Sequence, residues 1–146
     1  MWIVAIWLSA CTQEQIAYSH YEPVPGTTWS ADLPVRFSPE WSDSAATCRL
    51  LLDVRHTQRY PHGNLPMVVD LIGDDGRVTR HRVRMSITDG RGNWLGQGFG
   101  TLYQCQSVVA DGVTRSQAHR VVVWLALDSC DSVTGVSDIG ITLIKN

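Results

Sequence analysis

The chain has 146 residues, the length of one domain or of one domain with a tether. Hydrophobic residues make up 44% of it, which is enough to fill a core. A net charge of −2 with 18% charged residues argues against a nucleic-acid-binding protein and against an acidic disordered tail. No apolar run reaches the roughly eighteen residues of a membrane-spanning helix, so the sequence also argues against an integral membrane protein.

The first eleven residues predict a lipoprotein signal. Residues 1–10 are apolar and end in small residues, as in the hydrophobic region of a secretory signal. Leu8-Ser9-Ala10-Cys11 matches a bacterial lipobox, in which the Cys11 thiol is acylated and cleavage follows Ala10. Acyl chains of this kind anchor a protein to a bilayer. An ordinary cleaved signal and a buried apolar strand are the alternatives. No Lys or Arg precedes the run, and a start codon upstream of Met1 would supply one.

We predict three segments: a signal peptide over residues 1–10, a flexible lipidated tether over 11–30 and a single domain over 31–146. The tether is predicted because Pro23, Pro25 and Gly26 interrupt a polar, turn-rich stretch. Its aromatic residues, Tyr18, Tyr21 and Trp29, would allow part of it to dock on the domain. Once Cys11 is acylated, an odd number of thiols remains, so at most one disulfide can form within the chain. We expect buried free thiols, with room for one bridge, at Cys48, Cys105 and Cys130.

Alternation of apolar and polar residues predicts an all-β domain. In chain order, alternation or a short apolar run occurs over residues 49–55, 67–72, 78–87, 121–127 and 139–143. The run 121–127 is apolar throughout, which is typical of a central strand covered on both faces. Asp74-Asp75-Gly76 is a hairpin turn signal, and residues 114–119 make a short helix at most. About seven strands with closely spaced turns favour a single antiparallel β-sandwich.

The densest group of polar and aromatic residues lies between residues 55 and 65. His56 and His62 are candidate metal ligands, but a metal site needs three or more ligands and the other histidines stand at no telling spacing. We therefore expect no metal. In the simpler interpretation this stretch is an irregular connection between strands, in which Tyr60 packs and Asn64 caps the turn.

Two glycine-rich segments resemble ligand-binding loops only in part. Residues 96–100 lack the third glycine of a dinucleotide fingerprint at the required position, and no helix follows them. Residues 89–93 space their oxygen atoms as some calcium loops do, but no bidentate Glu follows. The nucleophile motif Gly-x-Ser-x-Gly is also absent. We expect no catalytic residue and no enzyme activity.

Arg80, Arg82 and Arg84 form a line of positive charge with about 7 Å between successive side chains. Such a line could meet an acidic partner, lipid headgroups or a polysaccharide. Charge on an edge strand more commonly protects it from pairing with other chains. We therefore interpret the line as the solvated face of an edge strand.

Five motifs follow one another along the chain. They are the lipobox at Cys11, Arg55-His-x-x-x-Tyr60-Pro61-x-x-Asn64-Leu65, Asp75-Gly76-Arg77-Val78, Asp89-x-x-Gly92-x-Trp94-Leu95-Gly96-x-Gly98-x-Gly100 and Gly135-Val-x-Asp138-Ile-Gly140. Over about residues 29–144 this series resembles the gliding motility lipoprotein GldH family of the Bacteroidota. The resemblance implies a lipoprotein needed for the gliding apparatus, whose components overlap with the type IX secretion system. It implies no enzyme activity and no cofactor beyond the covalent lipid on Cys11.

We expect a non-enzymatic adaptor that is bound to the membrane by its lipid and contacts other envelope proteins of this machinery. No Asp follows Cys11, so the usual inner-membrane retention signal is missing, and we expect the outer membrane, facing the periplasm or the cell surface. The alternative is a β-sandwich that binds glycan or another ligand, which would require an exposed aromatic ring beside polar groups. The candidate partner or ligand surface comprises Arg55, Tyr60, His62, Asn64, Trp94, Arg80, Arg82 and Arg84.

Overall fold

The computed structural model describes residues 14–127 and 131–146, so Cys11 and Cys130 lie outside the described residues. These residues form eleven β-strands and a short 3₁₀ turn at Pro25–Thr27. No helix among them is long and apolar enough to cross a membrane. The strands are β1 (Ile16–Pro23), β2 (Thr28–Ser30), β3 (Val35–Phe37), β4 (Thr47–His56), β5 (Asn64–Ile72), β6 (Val78–Ser86), β7 (Gln97–Phe99), β8 (Leu102–Thr114), β9 (Arg120–Leu125), β10 (Ser132–Thr134) and β11 (Val136–Lys145).

Two sheets pack face to face around one core. The first sheet has the strand order β1-β11-β4-β8-β7 and the second has the order β3-β9-β5-β6, while β10 pairs with β2 in a small ribbon. All strand pairs are antiparallel. Leu52 and Ile141 of the first sheet share a continuous hydrophobic cluster with Val69 and Val123 of the second. The predicted antiparallel β-sandwich is therefore confirmed.

The five runs predicted as strands match five of the seven long strands of the structure. Seven strands have six or more residues, whereas β2, β3, β7 and β10 have three each, too short to show a periodicity. In β6 the alternation gives buried Val83 and Met85 between exposed arginines. The central position predicted for residues 121–127 is also correct, because β9 lies between β3 and β5 and even its outward Val122 is buried.

The structure corrects the predicted tether. Residues 16–23, assigned by sequence to a tether over 11–30, form the edge strand β1 and pair with β11. Trp29, also assigned to the tether, is buried in the core. The prediction failed because most β1 side chains are polar or half-exposed, so an edge strand of this kind has no apolar alternation to reveal it.

The longest strand, β8 with 13 residues, was also missed. Only Cys105 and Val113 of this strand are buried, and the other side chains are mostly polar or small. Its position is set by pairing with β4, which runs antiparallel to it from Thr47 to His56. Because β8 is stabilised by pairing with a strand that is distant in sequence, its own residues show no alternation from which it could be predicted.

The two ends of the sandwich are formed by different parts of the chain. At the N-terminal end, the Lys145 amide donates to the carbonyl of Gln15 and the Asn146 amide donates to that of Thr47. The opposite end, called here the motif end, consists of the loops 57–63 and 87–96 and the turn at Gly135, which are linked by main-chain hydrogen bonds. Since β4 crosses between the two ends with ten residues, they lie about 30 Å apart.

Cys48 and Cys105 are both buried free thiols, as predicted. Burial raises the pKa of each thiol above its usual value. Both cysteines therefore behave as small apolar core residues.

Candidate functional site

The structure places the predicted surface residues in three separate regions. Four of them lie in or beside the motif-end loops: Tyr60, His62, Asn64 and Trp94. Arg55 lies on the outer face of the first sheet, where it pairs in register with Gln104. The three arginines of β6 lie on the outer face of the second sheet. These eight residues therefore do not form one site.

A cluster of aromatic rings closes the motif end. The ring of buried His56 has its centroid 4.9 Å from that of Trp94, 5.5 Å from Tyr103 and 6.1 Å from Tyr60. Trp94 and Tyr103 stack with centroids 5.4 Å apart. Ring pairs of this geometry contribute about 0.5–1.5 kcal/mol each beyond the area that they bury. The cluster therefore stabilises the end of the sandwich.

Tyr60 ties the β4–β5 loop together. Its hydroxyl donates to the main-chain carbonyl of Asn64 at 2.7 Å, and the residue is only 3% exposed. The prediction that Tyr60 packs inward is correct. Asn64, predicted to cap the turn, takes part in this contact through its main-chain carbonyl. The spacing of Tyr60 and Asn64 is thus explained by closure of the loop.

The aromatic rings of the motif end do not favour glycan binding. Tyr60 is buried, and the half-buried Trp94 indole already packs on His56 and Tyr103. A sugar would need an aromatic face free in solvent beside polar groups. The packing of Tyr60 and Trp94 therefore indicates that these rings stabilise the fold.

A Cys–His pair lies beneath the cluster but has no activated nucleophile. His56 Nδ1 donates to the Thr57 carbonyl at 2.9 Å, so Nε2 is the acceptor that faces Cys105 Sγ at 3.9 Å. Burial lowers the pKa of His56 and raises the pKa of Cys105. The neutral forms are favoured on both sides, whereas a nucleophilic cysteine needs its thiolate.

A polar network covers the outer face of the first sheet, and only its Arg55 was among the residues proposed from sequence. The ring of Tyr21 on β1 lies across Gly140 of β11, and the Arg55 guanidinium stands 3.9 Å from the ring centroid. Gln104 donates through Nε2 to the Tyr21 hydroxyl at 3.0 Å and accepts from Arg55 Nε at 3.2 Å. One tyrosine therefore connects β1 to β4 and β8 across the intervening strand.

Asp53 lies beneath this network and is completely buried. Its two oxygens accept from Gln106 Nε2 and from Thr142 Oγ1, each at 2.6 Å. Burial raises the pKa of this carboxyl, and the hydrogen bonds from Thr142, Gln106 and Tyr21 oppose that shift only in part. From sequence, the alternation over residues 49–55 places Asp53 on the polar face of the strand with Arg49 and Arg55, and gives no sign that it is buried.

Asp70 on β5 has the opposite electrostatic character. Arg80 donates to both of its oxygens at 2.8 and 3.0 Å, and the Trp124 indole donates at 3.2 Å. The hydrogen bonds from Arg80 hold the pKa of Asp70 below its usual value. Arg80 is therefore engaged within the sheet, whereas Arg82 and Arg84 form no ion pair in the part of the chain that the structure describes. As predicted, β6 is an edge strand.

The two carboxylates predict opposite pH dependences of stability. The raised pKa of Asp53 means that its contribution is fully present below the ordinary value of 3.8 and is lost as the pH rises through the folded-state pKa. The lowered pKa of Asp70 means that its contribution is present above 3.8 and is lost as the pH falls. We expect Asp53→Asn to remove the loss at rising pH and Asp70→Asn to remove part of the loss in acid. Urea unfolding midpoints between about pH 3 and about pH 7 measure both, and identical profiles for the two variants would contradict the assignment.

Residues 89–93 form a closed turn. One oxygen of Asp89 accepts from the main-chain amides of Arg91 and Asn93 at 2.8 and 2.9 Å, and the other accepts from the Asn93 side chain at 3.1 Å. These hydrogen bonds lower the pKa of Asp89. Within residues 14–127 and 131–146, no group of three or more His, Cys, Asp or Glu side chains is placed to hold a metal ion.

The protein is an antiparallel β-sandwich domain. Several residues of the sequence motifs hold its loops and strands together: Tyr60 and Asn64 close a loop, Trp94 packs in the aromatic cluster, and Gly140 lies under the Tyr21 ring. The GldH lipoprotein family profile matches residues 16–143. The chain therefore belongs to the GldH lipoprotein family.

Two curated proteins are similar over nearly the whole chain. A gliding motility lipoprotein GldH homolog of Christiangramia forsetii is 24% identical over 97% of this chain and 90% of its own length. The gliding motility lipoprotein GldH of Flavobacterium johnsoniae is 23% identical over 96% of this chain and 87% of its own length. Among solved structures, the VP2 subviral particle of infectious bursal disease virus aligns with 16% identity and a TM-score of 0.27, over 98% of this chain and 37% of the viral chain, which is too low to support a shared fold.

Proposed function

We propose that the protein is a lipid-anchored, non-enzymatic component of the cell envelope that acts as an adaptor in the gliding motility and type IX secretion-associated machinery. The family match over residues 16–143 carries the proposal, since the curated relatives are named as gliding motility lipoproteins. Other envelope proteins are the proposed partners, and neither a nucleic acid nor a further cofactor is proposed.

The position of Glu14 in the fold supports a defined orientation of the domain on a membrane. Glu14 pairs with Arg49 at 3.0 Å at the N-terminal end of the sandwich. Cys11 precedes Glu14 by three residues, which span at most about 10 Å. Acyl chains on Cys11 would hold this end near the bilayer and direct the motif end about 30 Å away from it. We propose the outer membrane, with the domain in the periplasm or at the cell surface.

Replacing the acylated cysteine tests the anchor and the function together. In a strain that lacks the gene, Cys11→Ala is expected to leave the protein unacylated, to lower its membrane-bound fraction by about tenfold and to leave gliding unrestored. Thr12→Ala, which keeps the lipobox cysteine, is the matched control. It is expected to be acylated and membrane-bound and to restore gliding. Membrane fractionation, mass spectrometry of the N-terminus and colony spreading are the measurements.

Two results would contradict this proposal. Normal gliding and normal secretion in the deletion strain would remove the assigned role in the machinery. Full restoration of gliding by soluble Cys11→Ala protein would show that the lipid anchor is not required.

A further inference from the structure

Much of β8 has an unpaired edge. β4 pairs with β8 over residues 103–114, whereas β7, on the other side, pairs with it only over residues 102–104. Beyond Gln104, the edge that faces away from β4 therefore has no strand partner within the residues described. The main-chain N–H and C=O groups of such an edge are a template for another strand.

Because the pairing of β8 with β4 is irregular after Val108, the part of the β8 edge that can accept another strand is limited to residues 105–108. The register with β4 shifts between Cys48 and Leu50 and again between Leu50 and Leu51, so the bulges of β8 lie between Val108 and Val113. Gly112 within this stretch has a φ of 61°. Bulges twist an edge and interrupt its hydrogen-bonding pattern, which protects that part of the strand from added partners.

A cleft of about 590 Å³ lies against the regular part of the edge. Residues 84–86 of β6 form one wall, residues 104–107 of β8 form the other, and residues 95–97 contribute the lining between them. A Cβ at Gly96 would lie 2.7 Å from the Gln104 carbonyl oxygen and 2.9 Å from Cys105 Sγ, so this segment packs tightly against β8. β7 pairs with β8 over only three residues, and Gly96 covers the edge at Cys105, so the cleft beyond Gly96 lies beside Gln106 and Ser107.

The lining gives the cleft one formal charge. Arg84 is exposed and forms no ion pair within residues 14–127 and 131–146. The polar residues that share the lining are neutral: Ser86, Gln97, Gln104, Gln106 and Ser107. The side chains of Gln104 and Gln106 are already engaged within the first sheet. A carboxylate on an incoming segment would therefore find a complementary charge in Arg84, and hydrogen-bonding groups in Ser107 and the main chain of β8.

We infer that this cleft binds an extended segment of a partner protein, which adds as a strand to residues 105–108 of β8 and places an acidic side chain beside Arg84. Strand addition takes affinity from main-chain hydrogen bonds and specificity from alternate side chains. The inference rests on the edge and the cleft, and it holds whether or not the partner belongs to the gliding machinery.

Photo-crosslinking in living cells with the full-length, lipid-anchored chain tests this inference. Benzoylphenylalanine replaces Val108, beside the unpaired edge, or Val78, which is equally exposed at 53% but lies at the start of β6, outside the cleft. We expect a crosslinked protein for Val108 and none for Val78. Arg84→Glu is expected to lower the yield about tenfold, whereas Arg77→Glu in the exposed hairpin turn leaves it unchanged. Leu95, which is 54% exposed in the lining of the cleft, is a second crosslinking position.

Mapping the crosslink completes the test. The bond must fall in a segment with an acidic residue, and a synthetic peptide of that segment must slow amide hydrogen exchange at residues 105–108 of the purified full-length protein. A crosslinked species of twice the chain's mass, a yield insensitive to Arg84→Glu, or no crosslink from either position would overturn the inference. If the strain that lacks the gene glides normally, and the Val108 crosslink still forms in cells that carry the protein, only the proposed function would be overturned.

Discussion

Gly135→Ala is expected to lower the free energy of unfolding by about 3 kcal/mol, through backbone strain and a collision that cannot relax. Gly135 has a φ of 95°, a region that residues with a Cβ rarely adopt. The added Cβ would also lie 2.8 Å from Tyr60 Cα and 2.9 Å from the Arg59 carbonyl carbon. Both neighbours are main-chain atoms of the loop that the Tyr60–Asn64 hydrogen bond closes, so neither can rotate away.

Gly26→Ala is the matched control for this variant. Gly26 also has a positive φ, 64°, but a Cβ built there meets nothing within 4 Å. We therefore expect only the strain cost of about 1 kcal/mol. Urea unfolding followed by tryptophan fluorescence measures both variants. Equal losses of stability would show that contact with Tyr60 does not decide the residue at position 135.

Gly140→Ala is expected to lower the free energy of unfolding by about 2 kcal/mol by displacing the Tyr21 ring. A Cβ at this position would lie 2.6 Å from Tyr21 Cε1. Because the obstacle is a side chain, the ring can swing away from the sheet. Tyr21 would then lose its contact with Arg55 and its hydrogen bond from Gln104, and buried Asp53 would be uncovered.

A double-mutant cycle separates this mechanism from general strain at Gly140. In a Tyr21→Ala background no ring remains to be displaced, so we expect the added cost of Gly140→Ala to fall to about 0.5 kcal/mol or less. The pH dependence that Asp53 confers should also weaken in both single variants, because the carboxyl regains water. Additive losses of stability would contradict the proposed cover of Tyr21 over Asp53.

These two variants give a physical meaning to the last family motif. Gly135 and Gly140 stand five positions apart, and each makes room for an aromatic residue from a different part of the chain. Gly135 approaches the backbone of Tyr60 in the β4–β5 loop, and Gly140 lies under the ring of Tyr21 on β1. The motif could be recognised from sequence, but its reason could not, because both partners are brought there by folding.

For the candidate site too, some features could be predicted from the sequence and others were revealed only by the structure. Arg80, Arg82 and Arg84 were correctly placed on an edge strand, since their alternation with apolar residues is local. The contact between Arg80 and Asp70 required the pairing of β5 with β6, and the cleft beside Arg84 required the unpaired edge of β8. Trp94 and Tyr60 drew attention as aromatic residues, yet only the structure showed that they pack against His56.

Strand identity in β4, β6 and β11 and the turn at Gly76 were readable from the printed residues alone, because side-chain alternation and a positive φ are properties of a few neighbouring positions. β1 and β8 were not readable, because their polar residues take a strand conformation only when β11 and β4 offer hydrogen-bonding partners. Alternation assigned Asp53 to the outer face of its strand, where the structure also has it. Tertiary packing then buried it, because Tyr21 arrives from another strand to cover it.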